Sequence, residues 1–170
     1  MSDYKLIDSC IFESPLGKIR LHQNQGYLVG LSFVSKELKT DIHLSELSLS
    51  DTKVFSETSN KLERYFSGNL QDFNIPIKVK GTSFERSAWR ALLRIPYGET
   101  WSYSKQANFI NKPEAIRAIG NANSKNPMPI IIPCHRVIGK DGYLKGYSSG
   151  IEKKSYLIDL EKKFMHVHKN

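Results

Sequence analysis

Cysteine is scarce in this chain: Cys10 and Cys134 are the only two in 170 residues, and they lie far apart in sequence. A disulfide framework is therefore not expected, and the pattern suits a reducing compartment. Long apolar runs are missing as well, and the longest falls far short of what a membrane-spanning helix needs. The first residues, Met1-Ser2-Asp3-Tyr4-Lys5, lack the basic-then-apolar order of a secretory signal. These absences predict a cytoplasmic protein with no membrane partner. Metal-ligand spacing is absent too: Cys10, His22 and His43 are scattered and form no zinc pattern, so no metal site is expected.

Acidic residues thin out along the chain. Residues 1–80 hold ten Lys+Arg and ten Asp+Glu, whereas residues 81–170 hold fifteen and seven, so the whole net charge of +8 falls on the second half. A cationic surface attracts a polyanion through phosphate contacts and counterion release. The plainer alternative is a basic surface that is merely well solvated. At 39% hydrophobic residues the chain can build one domain or two small ones.

The first half reads as a small α+β unit. Residues 4–34 alternate apolar and polar positions, with Asn24-Gln25-Gly26 as a turn, and predict strands. Residues 35–50 show no period and read as a loop. Residues 51–66 read as a helix with Phe55, Leu62, Tyr65 and Phe66 on one stripe and Gly68 as its stop. A short extended piece, Ile75 to Val79, is interrupted by Pro76.

The pattern changes at Gly81. Thr82-Ser83-Phe84-Glu85 forms a capping box for a helix with an apolar face of Phe84, Ala88, Trp89, Leu92 and Leu93. Ser102 caps a short helix over 103–109. Pro113 and Glu114 open another that runs to about Asn123. Short helix, turn and second helix resemble a helix-turn-helix, although two ordinary packed helices would share the pattern. The second helix is rich in small residues, among them Ala118 and Gly120, and carries one arginine, Arg117. A backbone could therefore approach a duplex closely there. Gly139-Lys140-Asp141-Gly142 predicts a hairpin-type turn, and a last helix spans 151–164. Glu161 falls near the C-terminal end of that helix, where a carboxylate opposes the helix dipole; it is either a functional group or a surface residue among lysines.

Pro133-Cys134-His135-Arg136-Val137 follows the apolar run Ile130-Ile131-Ile132, which delivers a cysteine and a histidine side by side from the interior. A neighbouring base and positive charges favour the reactive thiolate, so Cys134 reads either as a working, ionised thiol or as a small buried hydrophobe.

Several motifs in order then carry a resemblance. Ile95-Pro96-Tyr97-Gly98, Ser102-Tyr103, Arg117-Ala118-Ile119-Gly120, Asn126-Pro127 and Pro129 through Val137 come first. Gly146-Tyr147-Ser148-Ser149-Gly150, Lys154, Leu157 and Glu161 complete the set. The stretch from Gly81 to about Lys162 resembles the active-site domain of the O6-alkylguanine-DNA alkyltransferases, also called methylated-DNA–protein-cysteine methyltransferases. The first eighty residues resemble the family's ribonuclease-H-like domain only in length and strand-helix style.

The resemblance implies an α+β fold of two small domains. Residues 1–80 form a structural unit, and residues 81–170 form a mainly helical, winged-helix-like unit for DNA binding and catalysis. It implies transfer of an alkyl group from O6 of guanine to Cys134, once per molecule, with O4-methylthymine as a second candidate substrate. His135 would act as base through a water, Glu161 would orient it, and Asn126 would brace the turn that presents Cys134. Tyr103 would give a proton to the guanine ring. Carbonyls around Cys134 and Val137 and the Ser148 N–H would bind the base, with Tyr147 and Pro129 as walls. Arg117 would fill the space left when the nucleotide rotates out of the duplex, while Ala118 and Gly120 let the helix lie close in the groove. The implied partner is double-stranded DNA containing O6-alkylguanine, the protein is a monomer, and no cofactor is implied. Three alternatives predict otherwise: a recognition module that transfers nothing, a sequence-specific helix-turn-helix regulator, and a thiol hydrolase with Cys134 and His135 on one strand-like segment.

Overall fold

Alternation of buried and exposed side chains shapes the first of two units, residues 1–79, into a three-stranded antiparallel sheet, as seen in a computed structural model that describes residues 8–34 and 53–166. The strands β1 (Asp8–Ser14), β2 (Gly17–Asn24) and β3 (Tyr27–Phe33) pair in chain order, with Cys10 opposite Leu21 and Asn24 opposite Tyr27. Gln25 and Gly26 both take positive φ, 54° and 77°, which is the geometry a two-residue hairpin requires. Ile19, Leu21, Leu28 and Leu31 are buried from the sheet. Helix α1 (Lys53–Phe66) contributes Val54, Phe55, Leu62 and Tyr65 to the same unit's buried set. It ends where Gly68, at φ 78°, lets its own N–H reach Tyr65 O and the Asn69 N–H reach Arg64 O. The piece expected over 75–79 is a single parallel bridge of Ile77 to Leu28 rather than a strand. The loop expected over 35–50, the start of the helix expected at 51, and His43 lie outside the described residues.

The second unit comprises residues 80–170. Helix α2 (Ser83–Leu92) opens on the expected capping box: the Glu85 N–H donates to Thr82 Oγ1 at 3.2 Å, and the Thr82 N–H donates to Glu85 Oε2 at 2.8 Å. Leu93 does not belong to its apolar face. It caps the helix at its C-terminus and is half exposed, and Ala91 takes the buried position. The two-residue strand β4 (Trp101–Ser102) leads into α3 (Tyr103–Phe109), capped by the Ser102 hydroxyl.

Helix α4 spans Ile116–Ser124 and starts three residues later than the proline suggested. The Ala115 N–H closes a turn onto Lys112 O, and Ala115 at ψ 24° leaves the helical region, so Pro113 and Glu114 sit in the turn. Ala88, Ala107, Ile119 and Ala122 pack between α2, α3 and α4 with Phe84, Tyr103 and Ile110 around them. The helix-turn-helix therefore has a core of small side chains.

Beneath it, Gln106 and Asn123 exchange two amide hydrogen bonds, at 3.0 and 2.8 Å, and Gln106 also donates to Ala88 O. This links all three helices with every exchange inside the buried interior. Strand β5 (Val137–Ile138) pairs in parallel with β4, so the turn at 139–142 joins no strand pair; it closes through Gly142 N–H to Gly139 O. The last helix, α5, spans Ile151–Phe164 as expected. No helix among the described residues is long and apolar enough to cross a membrane.

Candidate active site

Asn126, two residues beyond the end of α4, organises the segment that leads to Cys134. Its Oδ1 accepts from the Met128 N–H at 3.0 Å, and its Nδ2 donates to Ile132 O at 2.7 Å and to Cys134 Sγ at 3.2 Å. Met128, Ile130, Ile131 and Ile132 are buried, but they are not a strand. Pro127, Pro129 and Pro133 offer no N–H to a ladder, and Ile130 takes φ 76°, a costly conformation for a β-branched residue. The run folds back on itself, and Cys134–Arg136 form one turn of 3-10 helix. Adjacent residues of such a turn project in different directions. The strand-like arrangement considered for a thiol hydrolase is absent, because Cys134 and His135 sit on this turn.

His135 is wholly buried, and its Nε2 lies 2.7 Å from Glu161 Oε1. Glu161 is 1% exposed, which removes the surface reading of that residue. Lys154, Leu157, Ile158 and Glu161 form one inward stripe of α5, at the i, i+3, i+4, i+7 spacing. The carboxylate also accepts from Arg136 Nε at 2.8 Å, from Arg136 Nη2 at 3.0 Å and from the Gly98 N–H at 3.1 Å. Arg136 Nη1 reaches Ile95 O at 2.7 Å, so the Ile95-Pro96-Tyr97-Gly98 motif serves to hold this ion cluster.

Burial by itself pushes Glu161 up, but His135 and Arg136 together outweigh it and hold the carboxyl well below its usual range. Burial, together with the nearby charges of Arg136 and Lys154, lowers the basicity of His135 more than Glu161 restores it. The result is a neutral imidazole that donates from Nε2 and keeps a lone pair on Nδ1. That Nδ1 meets no hydrogen-bond partner among the described residues.

Cys134 lies at a cavity of about 430 Å³, lined also by Tyr103, Gly120, Asn123, Tyr147 and Ser148. The cysteine itself is only 5% exposed. Burial raises the thiol's pKa against the opposing effects of the Asn126 hydrogen bond and the Lys154 charge. Desolvation thus works against the expected ionised sulfur, while Asn126 and Lys154 favour it.

Tyr103 lines the cavity, and its phenol donates to Lys145 O at 2.8 Å. Lys154 Nζ shares that carbonyl at 2.8 Å and reaches Gly146 O at 3.3 Å. Tyr147 lines the cavity with a buried hydroxyl that has no partner among the described residues. Ser148 lies at the exposed rim. Pro129 and Val137 are buried and are not among the residues that line the cavity. Gly120 leaves room: a Cβ there would sit 3.9 Å from Tyr103 Cε1. Arg117 and Ala118 are exposed on α4, and Arg117 has no hydrogen-bond or ion-pair partner among the described residues.

Sequence reasoning assigned no role to Arg136, Lys154 or Asn123. The legible signal was a charged residue on an otherwise apolar stripe, which Lys154 and Glu161 both are. Among the described residues no three His, Cys, Asp or Glu side chains group as metal ligands.

Residues 83–163 match the family model described as 6-O-methylguanine DNA methyltransferase, DNA binding domain, and residues 6–79 match its ribonuclease-like domain. The chain is 46% identical over 151 residues to a methylated-DNA–protein-cysteine methyltransferase of Methanosarcina barkeri, covering 89% of this chain and 94% of that protein. A constitutive enzyme of the same name from Bacillus subtilis is 39% identical over 153 residues, 88% of this chain and 92% of that one. Among solved structures, the chain is similar to the Mycobacterium tuberculosis OGT in complex with DNA, with a TM-score of 0.78, 40% identity, and coverage of 91% of this chain and 92% of that one.

Proposed function

The chain belongs to the 6-O-methylguanine DNA methyltransferase family, and from that premise we propose that it repairs O6-alkylguanine in double-stranded DNA by moving the alkyl group onto Cys134. The observation that carries this reading is Cys134 at the cavity with Asn126 on its sulfur, next in sequence to a buried His135 paired with Glu161. A methyl group on oxygen is displaced at saturated carbon, which calls for a soft sulfur nucleophile. His135 Nδ1, through one water, takes the thiol proton, and Glu161 stabilises the imidazolium that forms. Sulfur then bonds to the alkyl carbon as the carbon–O6 bond breaks and its electron pair passes to the guanine. Tyr103, once released from Lys145 O, supplies a proton to the purine ring and regains one from His135 or solvent. The thioether has no route back to a thiol, so each molecule reacts once.

The lesion atom lies inside the base stack, so the nucleotide rotates out at a cost of about a few kcal/mol. Arg117, exposed and unengaged, fills the vacated space, and Ala118 offers no bulk against the groove. The cavity at Cys134 takes the purine, with Tyr147 beside it and the Ser148 N–H toward O6. Residues 81–170 carry both DNA binding and transfer, and residues 1–80 serve as a structural unit. The protein works as a cytoplasmic monomer and takes no cofactor.

Duplex DNA carrying O6-methylguanine, mixed with the protein and followed by mass spectrometry, tests the reading. One added methyl on the Cys134 peptide, absent in Cys134→Ser, is the expected result. An unchanged mass in the unsubstituted protein overturns it.

A further inference from the structure

We propose that Arg136 is a positioning residue for alkyl transfer: it divides the charge of Glu161 so that His135 stays neutral and keeps Nδ1 available to accept a proton. This rests on the reading of His135 as base. The geometry is specific. Arg136 Nη2 donates at 3.0 Å to Oε1, the same oxygen that His135 Nε2 meets at 2.7 Å, while Nε takes Oε2 at 2.8 Å. The guanidinium thus lies along the carboxylate as a fork, and Nη1 anchors it to Ile95 O. His135, Arg136 and Glu161 are all buried.

A buried imidazole facing a carboxylate alone would be drawn into an imidazolium–carboxylate pair, and its Nδ1 would then carry a proton. An imidazolium cannot accept the thiol proton. Arg136 removes that pull by already neutralising the carboxylate. The charged and titratable groups around His135 come from several elements. Glu161 and Lys154 act on it from α5 and Arg136 from its own turn, where Cys134 is the adjacent residue, and Tyr97 lies by the guanidinium, 5.7 Å from ring centroid to Cζ. Helix α2, also packed against the turn, buries only Ala88, Trp89, Ala91 and Leu92.

With Glu161 ionised and Arg136 and Lys154 protonated, the cluster carries one net positive charge when His135 is neutral. A second positive charge in this desolvated space is unfavourable. Proton transfer from Cys134 to His135 leaves the total unchanged, so the cluster tolerates the step that reaction needs and resists protonation from solvent. Both Arg136 and Lys154 push the basicity of His135 down, in keeping with this arrangement.

The test uses the full chain with nitrogen-15-labelled histidine, with the His135 signals identified by His135→Asn. In the unsubstituted protein, His135 is expected to be neutral with the proton on Nε2 at pH 7; an imidazolium at that pH overturns the proposal, whatever the variants do. In Arg136→Gln, His135 is expected to hold a proton at pH 7. Methyl transfer should then be at least tenfold slower at pH 6.5 than in the unsubstituted protein, with most of the loss recovered near pH 9. A loss of equal size at every pH, with the His135 titration unmoved, would assign Arg136 a packing role and overturn the proposal. Arg136→Lys keeps the charge and should keep His135 neutral despite slower transfer; protonation of His135 there also overturns it. Unsubstituted protein that gains no methyl from lesion DNA sinks the repair reading instead, and the state of the histidine is read without any substrate.

Discussion

Asn126 shows how much one side chain can decide. Its amide satisfies the Met128 N–H and Ile132 O and donates to the Cys134 sulfur, all in the interior. Asn126→Ala leaves a buried donor and a buried carbonyl unpaired, at about 1–3 kcal/mol each. The expected outcome is a lower urea midpoint together with slower methyl uptake, measured on the same preparation. A variant with normal stability and normal rate would show that other contacts shape the turn at Cys134. The role of Asn126 was legible only through a family likeness, because nothing in Asn126-Pro127 by itself reports a sulfur eight residues away. Arg136 was less legible still: it stood in the most informative pentapeptide, yet its partner Glu161 lies 25 residues further along.

Helices α2 and α4 carry the predictions that belong to elements. The capping box at Thr82 holds two otherwise unpaired N–H groups of the chain, so Thr82→Ala should cost about 1 kcal/mol. A thermal-unfolding scan reads this, and no change in midpoint would show that water replaces the hydroxyl at no loss. On α4, Arg117→Ala should slow repair of duplex DNA far more than reaction with a free O6-alkylguanine base, since only the duplex needs the base extruded. Equal losses on both substrates would remove Arg117 from that step. Capping was readable because it is local in sequence. The start of α4 was misread because Pro113 suits a first helical position and a turn equally, and the Ala115 N–H to Lys112 O contact decided for the turn.

At the scale of the whole molecule, pH acts through buried groups with shifted basicity. His135 in the folded chain binds its proton less readily than its ordinary value of 6.5 allows, so the unfolded chain takes up protons first as pH falls through 6.5. Stability contributed at this site is full above that pH and declines below it. Glu161, held below the usual carboxylate range, adds a second loss once the pH passes below about 4.3, where an unfolded glutamate titrates. Urea midpoints should therefore fall between pH 7 and pH 5.5, and His135→Asn should flatten that part of the profile. Lys154 acts in the same sense at higher pH. Burial lowers it from 10.5 to about 8, so its burial penalty is relieved as pH rises through that window and its share of stability increases. The net +8 charge further predicts that DNA affinity falls steeply with added salt, as titration at several salt concentrations would show.

The sequence by itself determined what is local or periodic. It specified strand pairing around Gln25-Gly26, the capped helices, the last helix over 151–164, the uneven placement of charge, and the motif string that names the family. Tertiary structure alone decided the state of the chemistry. It placed Glu161 in the interior against His135, buried the Cys134 sulfur so that desolvation works against its anion, turned the Tyr103 phenol onto Lys145 O, and enlisted Arg136 and Lys154. The physical reason is that protonation and hydrogen bonding depend on which groups meet across tens of residues and on how much water they lose, and neither quantity is written in any short stretch of the chain.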